Sequence, residues 1–146
     1  MRYVSLIAGG FFLLFSFSLS AAELKLHITG IDDVKGGNIM VGVYESEATF
    51  LNDDSRIAQA SVPVTEAKAG LIRTQFDLQL GKRYAIAAYH DANGNEKLDK
   101  NFFGIPKEGY GFSNNARGTF GPPSFEKAAF ELILEKNQFV SFYLSY

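Results

Sequence analysis

Between His90 and Asp99 the chain sets oxygen-bearing side chains at alternate positions, Asp91, Asn93 and Asn95, and adds a carboxylate at Asp99. Such spacing lets one tight loop turn several hard oxygen ligands inward, as a calcium ion requires. Counted from Asp91, side-chain oxygens stand at the first, third and fifth positions, the Lys97 carbonyl at the seventh and Asp99 at the ninth. This is the first three-quarters of an EF-hand-type loop. The match breaks at the sixth position, where Glu96 replaces the glycine of the sharp turn, and at the twelfth, where Phe102 replaces a bidentate Glu. The missing oxygen then falls to Glu108 or to water. The competing reading is an Asn-Gly turn capped by its own Asp and Asn side chains, which needs no ion. The regular alternation favours Ca²⁺ on Asp91, Asn93, Asn95, Lys97 and Asp99. Asp91→Ala or Asp99→Ala is expected to abolish the stabilisation by the ion and leave the domain folded.

Other residue sets carry less chemistry. His27 and His90 lie far apart in the chain, each at a strand position, and a hydrogen-bonded histidine is preferred there to a zinc or copper ligand. The stretch from Gly104 to Asn115 interleaves glycine with aromatics but lacks the helix and the Lys-Ser/Thr of a phosphate loop. Within it, Tyr110 and Phe112 either fill the edge of the core or form a recognition surface, since ordered loops on rigid scaffolds carry binding. Ser113, His90 and Asp91 make a triad only on paper, because nothing near Ser113 resembles a nucleophile elbow. Glu108 with Asp99 as an acid–base pair has no better support, so no catalytic set is assigned.

The elements that must position this loop follow an export signal. Arg2, the apolar run Val4–Leu19 and the small residues Ser20-Ala21-Ala22 read as a signal peptide over residues 1–22, cleaved after Ala22. Residues 23–146 then form one domain, mildly acidic and without cysteine. Acidity argues against nucleic acid or an anionic membrane as partner. The absence of cysteine excludes disulfides, thiolate metal sites and a lipid-modified N-terminus, so a periplasmic or secreted chain with no membrane span is expected.

Alternation of Leu24, Leu26 and Ile28 with polar residues marks a half-buried first strand, and Ile39, Val41 and Val43 mark a second. Ile57–Val64 and Leu71–Leu78 look like a strand pair around Thr65–Gly70. Tyr84–Tyr89 is a continuous apolar run suited to burial on both faces. Phe130–Leu134 and Phe139–Tyr146 follow, separated by a hairpin-length turn. Seven strands at this spacing predict an all-β, antiparallel Greek-key sandwich with almost no helix. The region from Asp91 to about Glu126 has no strand pattern, yet its aromatics oppose disorder. It is expected to be one long ordered loop packed across an end of the sandwich.

The run His90-Asp91-x-Asn93-x-Asn95-x-Lys97-Leu98-Asp99, followed by Phe103-Gly104-Ile105-Pro106-Lys107-Glu108-Gly109-Tyr110-Gly111-Phe112-Ser113-Asn114, resembles the signature of a bacterial exported family, domain-of-unknown-function family 2141. The similarity extends to Gly42-Val43-Tyr44, Gly81-x-x-Tyr84-Ala85-Ile86 and Pro122-Pro123-Ser124-Phe125. It implies a prealbumin-type sandwich, shaped like transthyretin, and an exported location. It implies no reaction. Two function classes are therefore weighed: an envelope binding or structural module of unknown ligand, with the loops after Tyr89 as its surface, and a hydrolytic or carbohydrate-processing enzyme using Glu108, Asp99 or His90. A concave pocket around Glu108 would favour the enzyme.

Overall fold

The computed structural model describes residues 20–134 and 136–146. Most of the expected signal segment lies outside them; β1 begins at Ala21, and Ala22 is already buried. Among the described residues no helix is long and apolar enough to cross a membrane.

Among the described residues eight strands form two sheets with little helix. They are β1 (Ala21–Thr29), β2 (Asn38–Tyr44), β3 (Ala58–Pro63), β4 (Ile72–Gln79), β5 (Arg83–Asp91), β6 (Tyr110–Phe112), β7 (Phe130–Glu131) and β8 (Gln138–Tyr143). The first sheet has the order β4-β1-β8 and the second β3-β2-β5-β6, with β7 also pairing β5. A four-residue helix, α1 (Phe125–Ala128), precedes β7. Alternation buries Leu24, Leu26 and Ile28 from β1 against Ile39, Val41, Val43 and Ile86 of the opposite sheet in one core. The all-β, two-layer expectation holds.

Three details differ. There are eight strands, not seven, because Tyr110–Phe112 pairs with Ala87–Tyr89 inside the region read as a loop. Three residues around a glycine leave no alternation to detect. The sheet is not wholly antiparallel: β8 runs parallel to β1, a pairing between distant segments that local patterning does not report. Nor are the two expected hairpins present. β3 pairs β2 while β4 pairs β1, and β7 pairs β5 while β8 pairs β1. Each connection instead crosses between sheets, so that Val62 and Phe76, or Leu132 and Val140, enter the common core from different sheets.

The segment between β5 and β7 packs over the outer face of the second sheet. There Phe112, Phe125 and Ala128 build a smaller apolar cluster with Ala85, flanked by Phe50 and Leu51. The continuous apolar run of β5 is thus explained by covered faces on both sides. Ser113 ties this layer down. Between the stretches of β5 covered by β6 and β7, the Ile86 N–H has no strand partner and donates to Ser113 Oγ at 2.9 Å. The hydroxyl in turn donates to the Ala128 carbonyl at 2.6 Å. Ser113 is a structural plug, and no base approaches it. Ser113→Ala is expected to leave a buried N–H and a buried carbonyl unpaired, costing roughly 2–3 kcal/mol. Urea denaturation checks this; a loss under about 0.5 kcal/mol, the level of an ordinary surface substitution, would mean that water replaces the hydroxyl.

Candidate functional site: a capped loop beside an aromatic-rimmed cavity

The Asp91–Asp99 loop leaves the end of β5 and is held by hydrogen bonds to its own backbone. Asp91, 1 % exposed, accepts from Gly94 N and Asn95 N through Oδ1 and from Glu96 N through Oδ2, at 2.8–3.1 Å. Asn93 Oδ1 accepts from Asn95 N, and Asn95 Oδ1 from Lys97 N. The amide groups of Asn93 and Asn95 donate to the two oxygens of Asp99, at 2.6 and 3.0 Å. Glu108 straps the base of the loop, accepting from Ala92 N and Asp99 N at 3.0 Å each. The structure therefore joins Asp91, Asn93, Asn95, Asp99 and Glu108 in one hydrogen-bonded loop.

In kind these donors fit a hard cation: carboxylate and amide oxygens around one turn, with no lysine or arginine paired to Asp91, Asp99 or Glu108 among the described residues. Glu96 adopts a left-handed φ of 61°, so the backbone makes the sharp sixth-position turn without glycine. In number the fit is thinner. No group of three or more His, Asp or Glu side chains is disposed to hold a metal among the described residues. Amide and carbonyl oxygens would have to complete the shell, and Glu108 already spends both oxygens on backbone N–H groups.

His90 is fully buried and anchors the loop from below. Its Nε2 is 2.6 Å from the Gly36 carbonyl, which can only accept, so Nε2 carries the proton and Nδ1 accepts from the Tyr146 hydroxyl at 2.6 Å. That hydroxyl also accepts from Asp32 N. Both ring nitrogens are used, which is the hydrogen-bonded outcome expected for this histidine. His27 lies apart, edge-on to Phe139.

A cavity of about 670 Å³ opens beside the loop on the outer face of the second sheet. Its floor comes from alternate residues of β2, β5 and β6: Gly42 opposite Ala87, Met40 opposite Tyr89, and Tyr89 opposite Tyr110. The small pair Gly42 and Ala87 makes the depression. A Cβ at residue 42 would lie 3.0 Å from both Arg56 Cδ and Tyr44 Oη, so glycine lets the Arg56 side chain lie across the strand. The walls are the Lys97–Pro106 segment on one side and Gly118–Pro122 on the other. Phe103, 82 % exposed, and Phe120, wholly exposed, stand at the rim. Tyr110 and Phe112, the expected recognition pair, lie on the floor, with Phe112 buried.

The polar groups of the cavity are few. Arg56 pairs with Asp53 and donates through Nε to Tyr44 Oη at 3.4 Å. The guanidinium is held above its ordinary pKa: hydrogen bonds to Tyr44 and Asp53, with the Asp53 charge, outweigh the opposing desolvation, the largest single effect. The Tyr89 hydroxyl is buried and has no hydrogen-bond partner among the described residues. Burial pushes its pKa up to about 12, the nearby Arg56 charge opposing. An unpaired buried hydroxyl costs about 1–3 kcal/mol. Neither Glu108, Asp99 nor His90 lines this cavity, so no observation favours the hydrolytic reading.

Arg56, Tyr44 and Tyr89 escape sequence reasoning because no motif joins them. The one available sign is Gly42 in the middle of a clear strand, where glycine signals close approach by another group. Compared with known proteins, the chain matches no curated protein and no solved structure. Residues 26–140 match the family model described as an uncharacterized protein conserved in bacteria. With most of its length so matched, the loop and the cavity walls included, the chain belongs to the bacterial domain-of-unknown-function family 2141.

Proposed function

We propose that the chain is an exported binding module of the bacterial envelope, periplasmic or secreted, whose working surface is the cavity between the two walls, with Ca²⁺ held in the adjoining loop. The observation that carries this reading is the use made of the residues between β5 and β7. They form ordered walls around one cavity of the size that small ligands occupy, about 300–1,000 Å³. Partners of the module are small molecules or envelope components rather than nucleic acid. A prealbumin-like Greek-key topology belongs to the same proposal. Its support is that β1 to β2, β3 to β4, β4 to β5 and β7 to β8 each cross from one sheet to the other.

Asp91, Asn93, Asn95 and Asp99 would hold the ion with the Lys97 carbonyl, and Glu108 would keep its strapping role. The ion would supply only charge, cross-linking the loop whose continuation forms a cavity wall. Affinity of extracellular-type sites is ~10⁻⁴–10⁻³ M. At tenfold excess over Kd the protein is expected to gain about 1.4 kcal/mol, a rise of several degrees in Tm. Thermal melts in millimolar Ca²⁺ against chelator, with Mg²⁺ as control, check this. Asp99→Ala should remove the gain. Identical melts, with no heat of Ca²⁺ binding by calorimetry, would show a self-capped turn that needs no ion.

A further inference from the structure

We infer that the cavity on the outer face of the second sheet takes a neutral, planar aromatic small molecule, lying flat over Gly42 and Ala87 and against Arg56, between the rim side chains Phe103 and Phe120. The inference rests on the binding-module reading and names the class of ligand.

Three observations converge on it. First, the charges near the floor are of both signs and largely engaged. Asp53 is paired with Arg56, Asp91 and Glu108 accept N–H groups of the loop, and Lys97 and Lys100 are exposed on the wall. The Tyr89 hydroxyl feels Asp53, Asp91 and Glu108 against Arg56, and it is covered, so Tyr89 lines the cavity without offering a donor. A ligand of either sign would meet like charge there, which disfavours it against a neutral one.

Second, Gly42 and Ala87 are partners on adjacent strands and carry almost no side chain, so the floor between them is a flat patch of sheet. Arg56 lies beside that patch, its Cδ 3.0 Å and its Nε 3.1 Å from where a Cβ of residue 42 would stand. Its Nε donates to Tyr44, Nη1 to Gln59 and Nη2 to Asp53. With these in-plane directions taken and its charge offset by Asp53, the guanidinium still has a flat face, the face that stacks on aromatic rings. Third, Phe103 and Phe120 stand exposed on the two walls, and Ile105 is exposed with them. A ring system entering between them covers apolar surface that water now wets. An aliphatic chain would cover the same rim but would not stack on Arg56, and a sugar would find few free hydrogen-bond partners.

Phenylnaphthylamine and anilinonaphthalene sulfonate, which share one ring system and differ by the sulfonate, test the proposal on the folded full-length domain by fluorescence titration. The neutral probe is expected to bind one per chain, about tenfold more tightly than the sulfonate. Naphthalenemethanol should displace it, whereas decahydronaphthalenemethanol, with the same skeleton and no π face, should not. Ala87→Leu puts a side chain onto the flat patch and should weaken the neutral probe about tenfold, with Tm little changed because residue 87 packs outside the main core. Phe120→Ala, at a wholly exposed position, leaves both sheets untouched and should weaken the same probe severalfold. Arg56→Lys keeps a cation beside Asp53 but removes the plane, and should erase the preference for the aromatic competitor over the saturated one. Tighter binding of the sulfonate, or equal displacement by the two competitors, would overturn the neutral aromatic class while sparing the binding module. An affinity that falls as protein concentration rises would overturn it in favour of a second copy of the chain over the rim. Binding of neither probe, or binding unchanged in both Ala87→Leu and Phe120→Ala, would overturn the use of this cavity and the module with it.

Discussion

Asp91→Ala is expected to cost about 3–4 kcal/mol, because one carboxylate satisfies three backbone N–H groups and each unsatisfied donor costs about 1–3 kcal/mol. Those donors are Gly94, Asn95 and Glu96, all held by a side chain with 1 % exposure. The upper bound is not reached, since the backbone of an exposed turn recovers part of the loss from water. For a domain of this size the Tm should fall by roughly 10–20 °C. Asp91→Asn should lie between wild type and Ala. Its oxygen can keep the bonds to Gly94 and Asn95, but its amide NH₂ then faces the Glu96 N–H. Guanidinium denaturation of the three proteins, each in chelator, measures the effect without any ion. A loss under about 0.5 kcal/mol for Asp91→Ala, the level of an ordinary surface change, would mean that the caps contribute little.

That prediction differs from the one drawn from spacing alone, in which Asp91 and Asp99 are interchangeable ligands whose loss leaves the fold intact. Spacing shows which oxygens can meet. It does not show which of them the backbone has already claimed. Asp99 faces two amide groups and can exchange them, whereas Asp91 holds the turn itself. Asp99 is therefore the substitution that reports on an ion, and Asp91 the one that reports on the loop.

The same distinction runs through the fold. Strands β1, β2 and β4 were legible because each has one face in the core, so Leu24, Leu26 and Ile28, or Ile72, Phe76 and Leu78, recur with period two. Which strands pair was not legible, because pairing between sheets and across the chain leaves no local pattern. The aromatics of the long region after β5 point to packing, and Phe112 and Phe125 are buried. Their destination was not legible: they cover the outer face of the second sheet instead of one end of the sandwich. A face that is half covered and half hollow mixes both residue classes, and Gly42 and Ala87 then look like weak strand residues when they are the floor of a cavity.

Gly37→Ala should be the most damaging single methyl in the chain. Gly37 has φ of 76°, and a Cβ there would overlap the Asp91 carbonyl oxygen and lie 2.7 Å from Ala92 Cα. Both obstacles are backbone, at the point where β5 passes into the loop. They cannot retreat without breaking the pairing of Asn38 with Asp91 and the bond from His90 to the neighbouring Gly36 carbonyl. The backbone angle alone accounts for little of this. Gly81 has the same φ of 76° with nothing within 4 Å of its missing Cβ, so Gly81→Ala measures the conformational cost by itself, about 1–2 kcal/mol. Gly37→Ala should add the steric term and exceed about 4 kcal/mol, in the range reserved for severe core lesions. Equal losses for the two variants would show that the Gly37 turn can move away from β5. A larger loss at Gly37 would show that the turn before β2 is wedged against the end of β5 and sets the position of the loop that leaves it.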